Sequence, residues 1–112
     1  QVAVDIKDQE FIEEVTGIII SHLDDSTFSH QNVYGELGYS KTVFYNKIKA
    51  LTELNPSQFV RTVKLKEAGR LLKNTDMNIS EVAFKIGYAD INYFRSQFKK
   101  QFNKTPSEFM KG

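Results

Sequence analysis

The chain of 112 residues contains no cysteine and only two histidines, His22 and His30. Without thiols there is no disulfide framework and no thiolate metal site, and two isolated imidazoles form no ligand cluster. The cysteine count fits a reducing cytoplasm. No run of apolar residues approaches the ~20 needed to cross a bilayer. The longest, from Val15 to Leu23, is interrupted by Thr16, Gly17, Ser21 and His22. Neither a secretory nor a transit signal is visible. No nucleophile, base and orienting group stand in a catalytic pattern, and no glycine-rich phosphate loop occurs, so neither an enzyme nor a cofactor is expected. The chain opens on Gln1 rather than Met, which leads to the expectation that it was cut from a longer protein with upstream domains.

What is present is a strong aromatic complement, nine Phe and five Tyr, enough for one packed domain. A formal net charge of +1 hides a division along the chain. Residues 1–37 carry one basic and eight acidic side chains, whereas residues 38–112 carry fourteen basic and six acidic ones. A basic portion of this kind points to a polyanionic partner. A solvated basic face with no partner is the plainer alternative.

The sequence also repeats itself. Val33-Tyr34-Gly35-Glu36-Leu37-Gly38-Tyr39 matches Val82-Ala83-Phe84-Lys85-Ile86-Gly87-Tyr88 at an offset of 49. One extra residue raises the offset to 50, which then pairs Phe44 with Phe94, Ile48 with Phe98 and Lys49 with Lys99. The match closes on Pro56-Ser57-Gln58-Phe59 against Pro106-Ser107-Glu108-Phe109. An internal repeat of this length defines the architecture before any single element is considered.

Each copy reads as a short helix, a glycine turn, a longer helix and a proline-initiated helix. In the second copy, Asn78 followed by Glu81 is a capping-box start, Gly87 is the turn and Asp90 caps the next helix. Phe94, Phe98 and Phe102 recur at i, i+4 and i+8 as a buried stripe. Asn103 is expected in the left-handed position after that helix, and Thr105-Pro106 opens the last one. In the first copy Ser29 and Ser40 are the caps, Gly38 is the turn, and Phe44, Ile48 and Leu51 form the stripe. Asn55-Pro56 starts a connecting helix that runs to about Asn74, ~27 Å long, with Phe59, Val63, Leu65, Ala68, Leu71 and Leu72 facing both units. Ahead of everything, a helix from about Asp8 to Leu23 is expected to cover the core. The expected organisation is therefore all-α, with about seven helices in one compact domain. Residues 1–27 form an N-terminal segment with the first helix. Residues 28–112 form a double helix-turn-helix, with units over about 28–54 and 78–111 and a linker helix over about 56–74.

With the aromatic stripes facing inward, the periodicity turns Thr42, Tyr45, Asn46 and Lys49 outward on one helix and Asn92, Arg95, Ser96 and Lys99 on the other. The two sets correspond position for position. Arg suits guanine edges, Asn suits adenine edges, and Ser or Thr can meet either. Ser40, Lys41, Lys47, Lys49, Lys99 and Lys100 would supply contacts to phosphates. Any solvated helix looks polar on one side; the same polar face twice, each after a glycine turn, favours double-stranded DNA. A helical module for protein partners is the rival class, with Tyr34, Tyr39 and Tyr45 as a candidate aromatic patch.

From Phe28 to Met110 the chain resembles the C-terminal DNA-binding domains of the AraC/XylS family of bacterial regulators. The resemblance is carried by Leu65-Lys66-Glu67-Ala68, Ile79-Ser80-Glu81-Val82-Ala83, Gly87-Tyr88, Tyr93-Phe94, Phe98-Lys99-Lys100 and Pro106-Ser107-Glu108-Phe109. The stretch Phe44 to Thr52 further resembles the output domains of Bacteroidetes hybrid two-component regulators. The resemblance implies two helix-turn-helix units whose second helices enter adjacent major grooves. Carried over by position, Thr42, Tyr45 and Asn46 read one groove and Asn92, Arg95 and Ser96 the other, with Ile91 as a further contact. Two short readers on one spine are further expected to bind as a monomer in isolation and as a dimer at full length, under control of upstream domains of the same chain, with RNA polymerase as a second partner and no membrane contact. Three positions depart from the family's pattern: Tyr34 where a small residue is usual, Lys64 where Arg is frequent, and Asn103 in place of Gly.

Overall fold

The structure is a computed structural model describing residues 6–25 and 27–111. The described residues form seven helices: α1 (Ile6–Ser21), α2 (His30–Leu37), α3 (Lys41–Thr52), α4 (Pro56–Asn74), α5 (Ile79–Lys85), α6 (Ile91–Phe102) and α7 (Pro106–Lys111). No strand occurs among them.

Local chemistry sets most of the boundaries. Asn55 accepts a hydrogen bond from the Gln58 N–H at 2.8 Å, while Gln58 Oε1 accepts from the Asn55 N–H at 3.0 Å. Asn78 and Glu81 make the same reciprocal pair at 2.8 and 2.9 Å, and Thr105 and Glu108 repeat it ahead of α7. These boxes satisfy amides that a helix start leaves unpaired. At α2 only the reverse half is made: Asn32 Oδ1 accepts from the Ser29 N–H at 2.9 Å. Asn103 takes the left-handed conformation after α6 with φ 60°.

The end of α1 differs from the sequence expectation. The helix stops at Ser21 rather than Leu23, because the Ile18 carbonyl is taken by the Ser21 hydroxyl and the His22 ring, each at 2.9 Å. The His22 N–H then donates to the Ile19 carbonyl in a tighter turn. Local side-chain competition of this kind ends helices.

Two buried clusters flank α4. Phe11, Val15, Ile19, Phe28, Val33, Phe44 and Ile48 pack with its N-terminal half through Phe59 and Val63. Val82, Ala83, Ile86, Phe94 and Phe98 pack with its C-terminal half through Leu65, Ala68, Leu71 and Leu72. Each fully buried side chain of this size contributes about 1.5–3 kcal/mol. α1 joins both clusters: Phe11, Val15 and Ile19 belong to the first, whereas Leu23, just past its end, belongs to the second. Gly69 lies on α4 where a Cβ would meet the Phe109 ring at 3.1 Å, so α7 sits tightly on the spine.

Tyr34 shows how the first unit departs from the second. Its counterpart Ala83 is buried, but Tyr34 is only half-buried. Its ring tilts against Phe44 at 5.6 Å, while Phe11 of α1 meets Phe44 at 6.0 Å and Tyr39 at 5.4 Å. The first unit is thus repacked around an aromatic cluster that α1 completes. Tyr34 and Tyr39 are spent on that packing, and of the three tyrosines considered as a protein-binding patch only Tyr45 is exposed.

Candidate nucleic-acid interface

Both long outer helices, α3 and α6, begin after a left-handed glycine. Gly38 has φ 78° and Gly87 has φ 96°. Such a turn reverses the chain in very few residues, and glycine adopts it without a steric penalty. Ser40 then caps α3 by accepting from the Val43 N–H at 3.2 Å. Asp90 caps α6, accepting from the N–H groups of Asn92 and Tyr93 at 2.9 and 3.3 Å. A helix start held in this way offers the positive end of its dipole to an anion.

Phe44 and Ile48 anchor α3, and Phe94 and Phe98 anchor α6; all four are buried. That anchoring leaves Thr42, Tyr45, Asn46 and Lys49 exposed on α3, and Asn92, Arg95, Ser96 and Lys99 exposed on α6. Around α6, Asn92, Arg95, Ser96, Lys99 and Lys100 line a shallow depression of about 570 Å³. Ser96 Oγ donates to the Tyr93 carbonyl at 2.9 Å, leaving its lone pairs outward. Ser40 and Lys41 are exposed at the start of α3, next to that face. Ile91 is half-buried against the second cluster, at the inner edge of the α6 face.

Lys47 sits differently from the other lysines. Its Nζ is 5.0 Å from the centre of the Phe11 ring and 3.9 Å from Asp8 Oδ1. The side chain is half-buried and turned toward α1, where it braces α3 from behind. Lys64, one of the three positions that depart from the resembled family's pattern, is half-buried on α4; burial holds its amine below the ordinary lysine value, with Asp25 opposing that shift.

Two features escaped the periodicity. Arg61 lies on α4 between the two units and lines the clefts on either side of it, a placement only the tertiary fold creates. Tyr93 is 52% exposed beside the α6 face, and Val43 is 51% exposed on α3. Both side chains stand outside the buried stripes of their helices.

Two polar outer helices of matching composition, each packed through an aromatic stripe onto one spine, define an all-helical double helix-turn-helix domain. The helix-turn-helix domain family matches residues 34–112, and the chain belongs to that family, in its AraC type. It is a DNA-binding domain of the kind found in transcription regulators, a class distinct from enzymes. The chain is 31% identical over 109 residues to "Histidine kinase P4" of Formosa agariphila, covering 97% of this chain but 8% of that protein. It therefore spans less than a tenth of that relative's length. Among solved structures, the DNA-binding domain of AdpA in complex with a target DNA is similar with a TM-score of 0.76 and 25% identity, covering 89% of each chain. A transcriptional regulator with an AraC-type domain from Chromobacterium violaceum has the same fold, with a TM-score of 0.84 at 20% identity over 96% of this chain and 95% of that one. Among the described residues no helix is long and apolar enough to cross a membrane.

Proposed function

We propose that this domain reads a specific double-stranded DNA sequence by inserting α3 and α6 into adjacent major grooves on one side of the duplex. Thr42, Tyr45 and Asn46 address base edges in one groove. Asn92, Arg95 and Ser96 address them in the next, with Ile91 at the margin for apolar contact. Ser40, Lys41, Lys49, Lys99 and Lys100 hold the flanking phosphates. Lys47 is assigned instead to holding α1 against α3. The observation that carries this reading is the exposed polar quartet found twice, at matching positions of two helices that each follow a left-handed glycine.

In this proposal the domain is the output end of a longer regulator whose upstream domains control it by dimerisation, with RNA polymerase as the second partner of the assembly. The similarity to a small part of a histidine kinase supports that arrangement. One copy alone has two short readers and binds weakly and salt-sensitively. Two copies joined upstream on tandem sites convert the second binding event into an intramolecular one. Gel-shift titrations of one and two half-sites, with this domain and with an artificially dimerised form, test both parts. The proposal expects a log–log salt slope of about −0.9 per phosphate neutralised and a large gain on dimerisation. Saturation of a single half-site by the monomer at nanomolar concentration, with no gain from dimerisation, would contradict regulation by pairing.

A further inference from the structure

Between α4 and α6 lies a cleft of about 450 Å³ whose lining includes Arg61, Lys66, Gln97, Lys100 and Gln101. Three of these side chains are cationic, and no carboxylate is among the lining residues. An apolar floor is supplied by Leu65 and Phe102. Gln101 is already committed, since its Nε2 donates to the Thr62 carbonyl at 3.2 Å.

Gln97 is the unusual member. Only 9% of it is exposed, and it is the one polar side chain in the buried core of the described residues. Its carboxamide makes no hydrogen bond within the protein, in contrast to Gln58 and Gln101. Among the described residues no fully enclosed side-chain nitrogen or oxygen lacks a partner, so the unbonded Gln97 amide is not sealed off, and Gln97 is one of the residues that line the cleft. A donor held nine-tenths buried, facing a space ringed by one Arg and two Lys, is suited to an oxyanion. Arg can meet two oxygens at once, and the lysines act as point charges.

We propose that this cleft is a phosphate-binding site, in which Arg61, Lys66 and Lys100 supply charge and the Gln97 carboxamide donates the orienting hydrogen bond. Lys100 also lines the depression on the outer face of α6, so one lysine borders both the cleft and the candidate DNA-reading surface. The phosphate has two sources of the same chemistry: a phosphodiester of a bound DNA strand, or a free organic phosphate that binds the domain directly. The second does not depend on the domain's reading of DNA.

The test follows the Gln97 side-chain amide by NMR while pyrophosphate, and separately a mixed-sequence duplex, is titrated in at constant ionic strength. A saturable shift of that resonance with pyrophosphate is expected, weakened about tenfold by Lys66→Gln through loss of one close charge. If the duplex causes the same shift and pyrophosphate competes with it, the source is the DNA strand. If only pyrophosphate moves it, the source is a free phosphate compound. The side-chain amide of Asn92 reports duplex binding independently, so a failure to bind DNA is distinguished from a failure of the cleft. Gln97→Leu, close in volume, should retain the melting temperature and lose affinity; Lys66→Gln, at an exposed position, serves if the former does not fold. No saturable shift with either probe, or affinity unchanged by both substitutions, overturns the proposal.

Discussion

Gly87 and Leu23 approach so closely that a Cβ on the glycine would lie 2.6 Å from the Leu23 carbonyl oxygen. The turn that launches α6 therefore rests directly on the backbone that follows α1. Gly87 also has φ 96°, so Gly87→Ala meets both strain and a backbone clash. We expect it to destabilise the domain by about 2 kcal/mol or more. Gly38→Ala, with φ 78° but open space around it, should cost only about 1 kcal/mol. Urea unfolding compares the two, and equal losses would show that the Leu23 contact is unimportant.

Glu53 takes a left-handed conformation with φ 64° after α3, at the position matching Asn103 in the repeat. Glutamate is poorly suited to it, so Glu53→Gly should stabilise by about 1 kcal/mol. Gly17 lies within α1 with nothing near an added Cβ. Gly17→Ala should add about 0.5–1 kcal/mol by the same unfolding assay. Destabilisation by either change would mean that the local backbone is misassigned.

The centre of the second unit is Phe98, fully buried among Phe94, Phe102 and Phe109 with ring centres 4.5–5.7 Å away. Phe98→Ala should cost about 3–5 kcal/mol and abolish DNA binding through loss of the fold around α6. An unchanged circular dichroism melt would reverse the assignment of inner and outer faces.

His30 is half-buried at the start of α2, with its Nδ1 3.3 Å from Ser57 Oγ. Burial, aided by the nearby Lys41 charge, lowers its pKa below the ordinary 6.5. The unfolded chain then takes up the proton first, so stability falls as pH drops below about 6.5 and levels off once the folded ring is protonated too. Melting temperatures between about pH 7.5 and about pH 5, a range that brackets the ordinary histidine value, should show this slope, and His30→Gln should flatten it. An identical slope in the variant would assign the effect to other groups.

Much of the fold was legible because its signals are local. The reciprocal pairs at Asn55/Gln58 and Asn78/Glu81, the Asp90 cap and the 3.6-residue spacing of Phe94 and Phe98 all act within a few residues. The outward direction of Arg95 and Asn46 followed from the same spacing. What stayed hidden depends on contacts between distant segments. Lys47 looked like any other lysine of α3 until Asp8 and Phe11 were brought beside it. Arg61 gained its place only when α4 was set between two units. The early end of α1 was local but arose from side-chain bonds to the Ile18 carbonyl, which apolar periodicity does not register.

The central claim is that two outer helices read two separate segments of one duplex. Hydroxyl-radical footprinting on a selected site, repeated with Asn46→Ala and Arg95→Ala, tests it most directly. The account predicts two protected patches about 10 base pairs apart on one side of the duplex. Arg95→Ala should lower affinity by about 1–3 kcal/mol and relax base preference in one patch only. Asn46→Ala should do so in the other, whereas Lys99→Ala should weaken specific and random DNA alike. A single patch, or two base-reading variants that relax the same base pairs, would contradict it.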